Sequence, residues 1–560
     1  MVFFDLVEEY GKREHKLRIN NFEYLLMKRI LSIAVMASAV LGAAAQDTYE
    51  SAKMADRDLN GTARYVGMGG AMEALGADIS TISTNPAGPG LMRKSQVAVS
   101  FGPQIVSGDK QNVLDGPTTT FGLDQAGGVL VTKVGSNSFL NFGFNYTKSR
   151  NFNQLLTATD DFYFTSQNKI SCMKYFAGAM KEYNYSVVDD LYNFVLNGVV
   201  NRDGKLEEDF VEYYNAAGYA TEQRREGFIA DYAFNVSGNV NDRVYLGLTF
   251  GLKDVHYRNT TYYTEALLDY TDENIIGNVD LLDERETSGT GLDIKLGVIA
   301  RPIESSPFRI GAYVHTPTWY KLETTSSTDL SRDFDIYETD PKTGKEYLAN
   351  NPKQRRHYTS LEYRLNTPWV FGLSVGHTID QILALGLTYE YSDYTNLDNR
   401  VIDEDYYDYY YGEFFEDSHS DRLMKRNTRD VMQGSHTLKA GMEVKVTPEF
   451  SVRAGYNYVS PKYKSTGFRD QTIESQGTYL ATTTDYTNWK STNRITFGLG
   501  YAIGNFFMDA AYMYSQTDGD YFPFMSYQND VNHPELDCIP DAVKVSDKRS
   551  KLLFTLGWRF

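Results

Sequence analysis

Cysteine, histidine and long apolar runs are all scarce in this 560-residue chain. Its two cysteines, Cys172 and Cys538, exclude a disulfide-stapled scaffold, and in an exported protein they would be either paired across two loops or free thiols. The eight histidines lack the paired spacing of metal sites, so neither a metal nor another cofactor is expected. Basic residues are outnumbered, 55 Lys and Arg against 73 Asp and Glu, which argues against nucleic-acid binding.

The long apolar run at residues 30–45 lies near the amino terminus. It follows a Lys-Arg pair and ends on three alanines, as a secretory signal does, so we predict cleavage before Gln46. A membrane anchor is the alternative, but the run is short for one. Met27 stands where such a signal begins. We therefore interpret residues 1–26 as a mis-called upstream start and residues 27–45 as the signal peptide.

The end of the chain alternates in polarity. Leu552, Phe554, Leu556, Trp558 and Phe560 are apolar, and the residues between them are mostly small or polar. This period of two is typical of a β-strand. A soluble protein rarely ends on an open strand edge, because such an edge invites aggregation, whereas a closed membrane barrel pairs its last strand with its first. We expect the barrel-assembly machinery to recognise this strand through Trp558 and Phe560.

Six short turns each join two alternating stretches, at residues 135–137, 239–242, 302–307, 378–380, 447–449 and 504–505. With one further strand at each end, residues 96–101 and 551–560, the pattern predicts fourteen strands. The segments between the hairpins are long, as in outer-membrane barrels, whereas a soluble sandwich or propeller would have similar turns at both strand ends. We predict an all-β membrane protein, a 14-stranded antiparallel transmembrane β-barrel over residues 96–560. Its longest loop, residues 149–227, has helical apolar spacing at 187–195.

Residues 46–95 precede the first strand and are long enough to form a hatch in the lumen. They contain Gly61-Thr62-Ala63-Arg64-Tyr65, Gly67-Met68-Gly69-Gly70-Ala71 and Asn85-Pro86-Ala87. Glycines permit tight turns against a wall, and Pro86 biases Asn85 away from helix, so residues 85–90 should form a turn into the first strand. These motifs resemble the FadL/TodX (OmpP1) family of outer-membrane transporters for fatty acids and aromatic hydrocarbons. The predicted hatch residues are Gly61, Arg64, Gly67, Gly69, Gly70, Asn85, Pro86 and Ala87.

The resemblance implies a monomeric barrel in the outer membrane of a Gram-negative bacterium, surrounded by lipopolysaccharide and membrane lipid. In that family a hydrophobic ligand enters an apolar external groove, passes to a lumen pocket and leaves through an opening in the barrel wall. Transport is passive and is assisted by rearrangement of the hatch. Long-chain fatty acids are the expected ligands, although the loops that form the family's groove do not match residue by residue.

Strand parity places a set of charged residues on the lumen face. Among them an arginine would suit a fatty-acid carboxylate better than a lysine, because its two parallel N–H groups match the carboxylate. We therefore name Arg453 and Arg494, with Lys439, as candidate ligand-binding residues. The alternative is a network of salt bridges that fixes the hatch. The full set is Asp293, Lys295, Arg309, Lys439, Glu443, Arg453, Arg494, Asp509 and Arg559.

Two other motifs carry weaker signals. Residues 372–376, Gly-Leu-Ser-Val-Gly, match a hydrolase nucleophile motif, but that chemistry needs a strand-to-helix turn, and the flanking alternation predicts that Ser374 lies within a strand. No enzyme activity is expected. The acidic, tyrosine-rich run at 403–417 is interpreted as a solvated external loop, with divalent cations at the lipopolysaccharide surface or a protein partner as the alternatives.

Two functions therefore remain open. The first is passive uptake of hydrophobic molecules across the outer membrane. The second is a protein-interaction role, either as a cargo shuttle in secretion, as some FadL-like barrels serve, or as a surface adhesin. A continuous apolar path through the lumen would favour transport, and a lumen filled by charged pairs would favour the interaction protein.

Overall fold

The computed structural model describes residues 47–108, 111–114, 116–163, 165–171, 191–192, 195–196, 214–269, 271–339, 343–348, 353–402, 406–408, 413–415, 418–470, 473, 484–526 and 538–560. The predicted signal peptide, Cys172, most of the proposed loop helix and much of the acidic, tyrosine-rich run lie outside these ranges. Cys538 is a buried free thiol.

Antiparallel strands form most of the described structure. In chain order they are β1 (Gln96–Ser107), β2 (Thr119–Lys133), β3 (Phe139–Asn151), β4 (Gln154–Asp161), β5 (Ala216–Val240), β6 (Val244–Leu268), β7 (Ile275–Ala300), β8 (Arg309–His315), β9 (Trp319–Arg332), β10 (Tyr337–Thr339), β11 (Glu346–Leu348), β12 (Gln354–Asn366), β13 (Val370–Ile379), β14 (Leu383–Asp393), β15 (Asp398–Ile402), β16 (Tyr406–Asp408), β17 (Glu413–Phe415), β18 (Ser418–Ser420), β19 (Gly434–Lys445), β20 (Phe450–Val459), β21 (Tyr486–Ile503), β22 (Phe506–Phe522) and β23 (Val543–Arg559).

The strands close into a barrel. β1 pairs with β2 on one side and with β23 on the other, from Gln96 opposite Arg559 to Ser107 opposite Lys548. Four positions in the wall are each filled by two successive strands: β3 with β4, β8 with β9, β12 with β13, and β14 with β15. Each of these four pairs counts as one transmembrane strand of the barrel. With β1, β2, β5, β6, β7, β19, β20, β21, β22 and β23, the described residues form fourteen such strands, which confirms the predicted number. All six predicted short turns join strands that pair as hairpins.

Proline interrupts two neighbouring wall positions at the same height. Pro317 separates β8 from β9, and Pro368 separates β12 from β13, as expected for a residue that cannot donate to a strand ladder. Across this gap the Thr318 amide donates to Thr367 Oγ1 at 2.8 Å, and the Thr367 amide donates to the Thr318 carbonyl at 3.1 Å. We call residues 316–318 and 367–369 the wall break. It is a point where regular pairing gives way to two local hydrogen bonds.

Side chains alternate between the two faces of the wall. In β23, Leu552 and Phe554 are exposed on the outside, while Leu553 and Thr555 are fully buried inside. Outward apolar side chains recur around the whole barrel. A continuous exposed apolar band of this kind indicates contact with lipid instead of water. Representative members are Val97, Leu130, Phe142, Phe234, Leu246, Phe250, Leu296, Phe371, Leu387, Leu438, Phe497, Leu556 and Trp558.

The segment before β1 runs inside the barrel. It contains helix α1 (Thr48–Ala55), helix α2 (Ala63–Gly67) and two short 3₁₀ turns, Ile79–Ser83 and Gly88–Leu91. A third helix, α3 (Arg422–Val431), follows β18 and packs against α1. Within the described ranges, no helix has the length and apolar character needed to span a membrane.

Candidate functional site: the hatch and the lumen cavity

A belt of glycines on adjacent strands brings the hatch backbone against the wall. Gly386 lies opposite Gly441, and Gly441 lies opposite Gly455, so the three form one row across β14, β19 and β20. A Cβ atom on Gly386 would lie 1.9 Å from the Ala71 carbonyl oxygen, and one on Gly441 would lie 2.2 Å from the Met68 carbonyl oxygen. The hatch therefore occupies the space that side chains would fill on these strands. We call Gly386, Gly441 and Gly455 the glycine belt.

The predicted hatch glycines serve this contact from the other side. Gly69 has a φ of +62° and Gly70 a φ of +79°, conformations that favour glycine. A Cβ on Gly69 would meet the Tyr456 amide nitrogen at 2.8 Å, and one on Gly67 would meet Gly498 Cα at 3.1 Å. The expectation of side-chain-free turns against the wall is confirmed at these positions.

The Asn85-Pro86-Ala87 tripeptide is fixed by hydrogen bonds. The Asn85 side-chain amide donates to the Glu73 carbonyl at 2.9 Å, and its Oδ1 accepts from the Ala87 amide at 3.2 Å. Asn235 on β5 donates to the Pro86 carbonyl at 3.0 Å. The short 3₁₀ turn that follows leads towards β1, so the predicted turn over residues 85–90 is confirmed.

A chain of ion pairs joins the hatch to the lumen face. Arg64 Nη2 lies 2.8 Å from Glu443 Oε1, and Arg453 Nε lies 2.5 Å from the other oxygen of the same carboxylate. Arg453 also lies 2.6 Å from Asp509. Because all four groups are buried or half-buried, these pairs are weakly screened by solvent and hold α2 to β19, β20 and β22.

A second cluster surrounds Glu73, a fully buried hatch residue. Lys439 Nζ lies 2.9 Å from Glu73 Oε1 and 2.8 Å from Glu390 Oε2. Tyr65 and Thr388 each donate to the Glu73 carboxylate at 2.8 Å. The carboxylate thus accepts from three side chains and ties the hatch to β14 and β19.

The three predicted ligand-binding residues therefore differ in their surroundings. Lys439 and Arg453 are each engaged by two carboxylates, as the salt-bridge alternative predicted. Arg494 donates to Asn457 Oδ1 at 2.8 Å and lies 3.8 Å from Asp58, and it lines a cavity together with Lys439. Every charged residue that parity placed on the lumen face is buried or half-buried, so their inward orientation is confirmed.

This cavity, of about 270 Å³, lies between the hatch and the outer part of the lumen. Its lining contains eleven Lys and Arg against six Asp and Glu, a basic excess inside a chain whose net charge is −18. Apolar and aromatic surface is present as well, from Met54, Leu59, Phe152, Tyr320, Tyr394, Tyr463 and Trp489. The cavity can therefore contact both an anionic group and an apolar one.

Segment 56–60 of the hatch forms one side of this cavity. Asp58 accepts from Arg150 at 2.8 Å and from the Asn151 amide at 2.8 Å. Burial alone would raise the pKa of Asp58, but Arg150, Arg549 and Arg494 together lower it to about 2. Asp58 is thus charged at neutral pH and fastens this segment to β3.

Sequence reasoning missed Arg57 and His315. Arg57 is exposed to the cavity and donates to His315 Nδ1 at 2.8 Å, while the other ring nitrogen donates to the Thr84 carbonyl at 2.6 Å. The ring therefore accepts from the arginine and donates to the hatch. No periodicity marks Arg57, because it lies in an extended segment of the hatch.

Helix α1 closes the outer end of the lumen. Thr48 Oγ1 lies 2.9 Å from Thr428 Oγ1 on α3, and the Tyr49 hydroxyl donates to Asn488 on β21 at 2.9 Å. The Tyr49 ring stacks on Tyr463 with centroids 5.1 Å apart. The end of α1, at residues 53–55, and residues 56–60, 80, 83 and 84 of the same N-terminal segment line the cavity.

The hydrolase-like motif has a structural position. Ser374 is buried in the middle of β13, opposite Gly311, so the strand-to-helix turn of a nucleophile is absent at this motif. In the part of the chain that the structure describes, no three or more His, Cys, Asp or Glu are grouped to hold a metal ion.

Comparison with known proteins gives matches among solved structures alone. No family model and no curated protein sequence matches the chain. The solved structures that it is similar to include a FadL homologue of Pseudomonas aeruginosa, with a TM-score of 0.45, 12% identity and coverage of 90% of this chain and 99% of that one. The toluene transporter TbuX of Ralstonia pickettii gives 0.43, 13%, 90% and 99%, and the toluene transporter TodX of Pseudomonas putida gives 0.41, 10%, 93% and 100%.

The class defined by fold and site is a closed 14-stranded β-barrel with an internal N-terminal hatch, established by the strand pairing and hatch contacts above.

Proposed function

We propose that this protein is an outer-membrane channel for the passive uptake of hydrophobic molecules that carry an acidic head group, fatty acids among them. The lumen cavity carries this proposal. Its basic excess suits a carboxylate, and side chains such as Phe152 and Tyr394 suit an apolar tail. The outward apolar band supports residence in a bilayer, where we also expect a monomer in contact with lipopolysaccharide.

The size of the cavity bears on the ligand. A cavity volume of about 270 Å³ lies near the lower end of ordinary ligand pockets. A carboxylate and a short tail fit within it. A long-chain fatty acid would have to extend its tail beyond the cavity, so we expect acids of medium length to bind more completely.

The wall break offers the route out. Thr316, Thr318, Thr367 and Pro368 belong both to the cavity lining and to the break. Opening it breaks the two hydrogen bonds between Thr318 and Thr367, fewer than a gap of the same length in a regular strand pair would break. Moving the hatch would separate several buried or half-buried ion pairs, among them Arg64 with Glu443 and Lys439 with Glu73. We therefore propose lateral release through the wall break, which agrees with the wall exit that the family resemblance implies, without the hatch rearrangement that the resemblance also implies.

A second function is favoured by a specific observation. The charged pairs in the lumen, Arg64 with Glu443 and Glu73 with Lys439, fix the hatch, and charged pairs were the expected sign of an interaction protein. A cargo shuttle or adhesin built on this barrel would use the hatch as a permanent plug. Its test is whether an exported surface protein is lost in a strain without this barrel while acid uptake is unchanged.

The test of the first function is uptake of labelled dodecanoate and oleate by cells with and without the protein, beside a variant that carries Arg57→Gln and Arg494→Gln. These two arginines border the cavity without being part of the Glu73 or Glu443 clusters. We expect uptake to require the protein and to fall in the variant at equal surface expression. A matched control is Arg356→Gln, on an exposed arginine paired with Asp329. Equal uptake with and without the protein would reject the proposal.

A further inference from the structure

A row of polar residues crosses the inner wall beside α1. Strand register places Arg225 on β5 directly opposite Asn259 on β6, and Asn259 directly opposite Arg285 on β7. All three are more than nine-tenths buried. We call them the arginine row. Arg225 also lines the lumen cavity, so the row adjoins it.

The arginine row has unused hydrogen-bonding capacity. Among the described residues, Arg285 is 1% exposed, and none of its three guanidinium nitrogens makes a hydrogen bond. Nε of Arg225 and Oδ1 of Asn259 are likewise buried without a partner. So is the hydroxyl of Tyr257, two residues before Asn259 and thus on the same face of β6. A buried guanidinium in this condition is costly unless an anion faces it.

Glu50 of α1 forms an ion pair with Arg285, and the carboxylates of Asp283 and Asp47 also lie close enough to act on this guanidinium. Glu50 Oε2 lies 3.3 Å from Arg285 Nη1, and Glu50 Oε1 lies 2.6 Å from Lys53 Nζ. Burial would raise the pKa of Glu50, but the charges of Lys53 and Arg285 lower it well below its usual range. The Glu50 carboxylate is therefore shared between Lys53 of its own helix and Arg285 of the wall. It leaves the N–H groups of the Arg285 guanidinium without hydrogen bonds of good geometry.

We propose that the arginine row is a binding site for the carboxylate of an incoming ligand, and that Glu50 occupies this site until the ligand displaces it. The ligand carboxylate can take the two parallel N–H bonds of Arg285 that Glu50 does not make. Glu50 keeps Lys53 as its partner after displacement. α1 thus acts as an internal competitor at the outer end of the cavity. The inference rests on the proposed function for the class of ligand.

Binding of labelled dodecanoate to the full chain in neutral detergent tests this site, with dodecanol as the probe that lacks a carboxylate. Glu50→Gln removes the competing charge and should tighten dodecanoate binding by about tenfold, the value of one charge-assisted hydrogen bond. Adding Arg285→Gln to that variant should reverse the gain. Glu362→Gln, on an exposed residue paired with Lys321, is the matched control and should leave binding unchanged.

Amide hydrogen exchange on the unmodified protein gives a second reading that does not depend on the folding of a variant. Dodecanoate should speed exchange in residues 48–55, and dodecanol should not. Equal dodecanoate affinity in Glu50→Gln and the unmodified protein, or an equal effect of both probes on α1, would overturn the inference even if cells take up dodecanoate. If dodecanoate binds neither the unmodified protein nor any variant, this inference is overturned. If cells take up dodecanoate equally with and without the protein, the proposed function is overturned.

Discussion

Replacing Glu443 by glutamine should release one end of the hatch while leaving the barrel closed. Glu443 is 5% exposed and accepts from Arg64 on the hatch and Arg453 on the wall. Glutamine keeps the size of the side chain but removes the charge. Arg453 then remains buried and Arg64 half-buried, with Asp509 as the carboxylate still beside Arg453.

The expected magnitude follows from the burial of these groups. Breaking a buried ion pair by neutralising one partner typically costs about 3–5 kcal/mol, because the other charge stays uncompensated. Taking the lower value, the population in which α2 is detached should rise by about a hundredfold, since about 1.4 kcal/mol corresponds to a factor of ten. The barrel itself should persist, because strand pairing between β19 and β20 does not use this side chain.

Amide hydrogen exchange of residues 63–71, measured on the folded protein in detergent, reports this population directly. Glu362→Gln serves as the control, since that carboxylate is exposed and pairs with Lys321 at 3.6 Å. Exchange at 63–71 that is the same in both variants would refute the claim that the Arg64–Glu443–Arg453 chain holds the hatch. Exchange that rises throughout the barrel strands would show instead that Glu443 supports the wall.

Three further outcomes are expected. The carboxylate of Asp58 has a pKa lowered to about 2, so its contribution of about 2 kcal/mol is present above its ordinary value of 3.8 and is lost as the pH falls towards 2. Cleavage within residues 56–60 by a protease that is active in acid should increase as the pH falls from about 4 towards 2, and Asp58→Asn should abolish this pH dependence. Gly441→Ala would place a methyl group 2.2 Å from the Met68 carbonyl oxygen and should destabilise the hatch by about 1–3 kcal/mol. Gly135→Ala, whose nearest neighbour atom would be at 3.4 Å, should be nearly neutral when the two are compared by hydrogen exchange. Deletion of Phe560 should lower the yield of folded barrel in cells without altering the refolded product, as read from gel mobility before and after heating.

The barrel was predictable because each hairpin carries its own signal. Alternation along β21 and β22 shows which residues face outward, and the turn at residues 504–505 marks where the chain reverses. The same parity placed Lys439, Glu443 and Arg453 inside the lumen. These are local properties of strands with one apolar and one polar face.

The contacts within the lumen were not predictable in the same way. Glu73 meets Lys439 across 366 residues, and Thr48 meets Thr428 across 380 residues. Such pairings depend on the path of the hatch, which has no periodic pattern. The arginine row depends on the register of β5, β6 and β7, which strand patterning alone leaves undetermined to within a shift of two residues.

The most direct test of the uptake route is a reversible disulfide bond across the wall break. Thr318→Cys and Thr367→Cys, in a background where Cys172 and Cys538 are replaced by serine, would join the two residues whose hydrogen bonds close the gap. Uptake of labelled dodecanoate should be lost when this pair is oxidised and should return on reduction, while the serine background alone stays active in both conditions. Equal uptake by the oxidised and reduced protein, with the disulfide verified by mass, would contradict lateral release through the wall break.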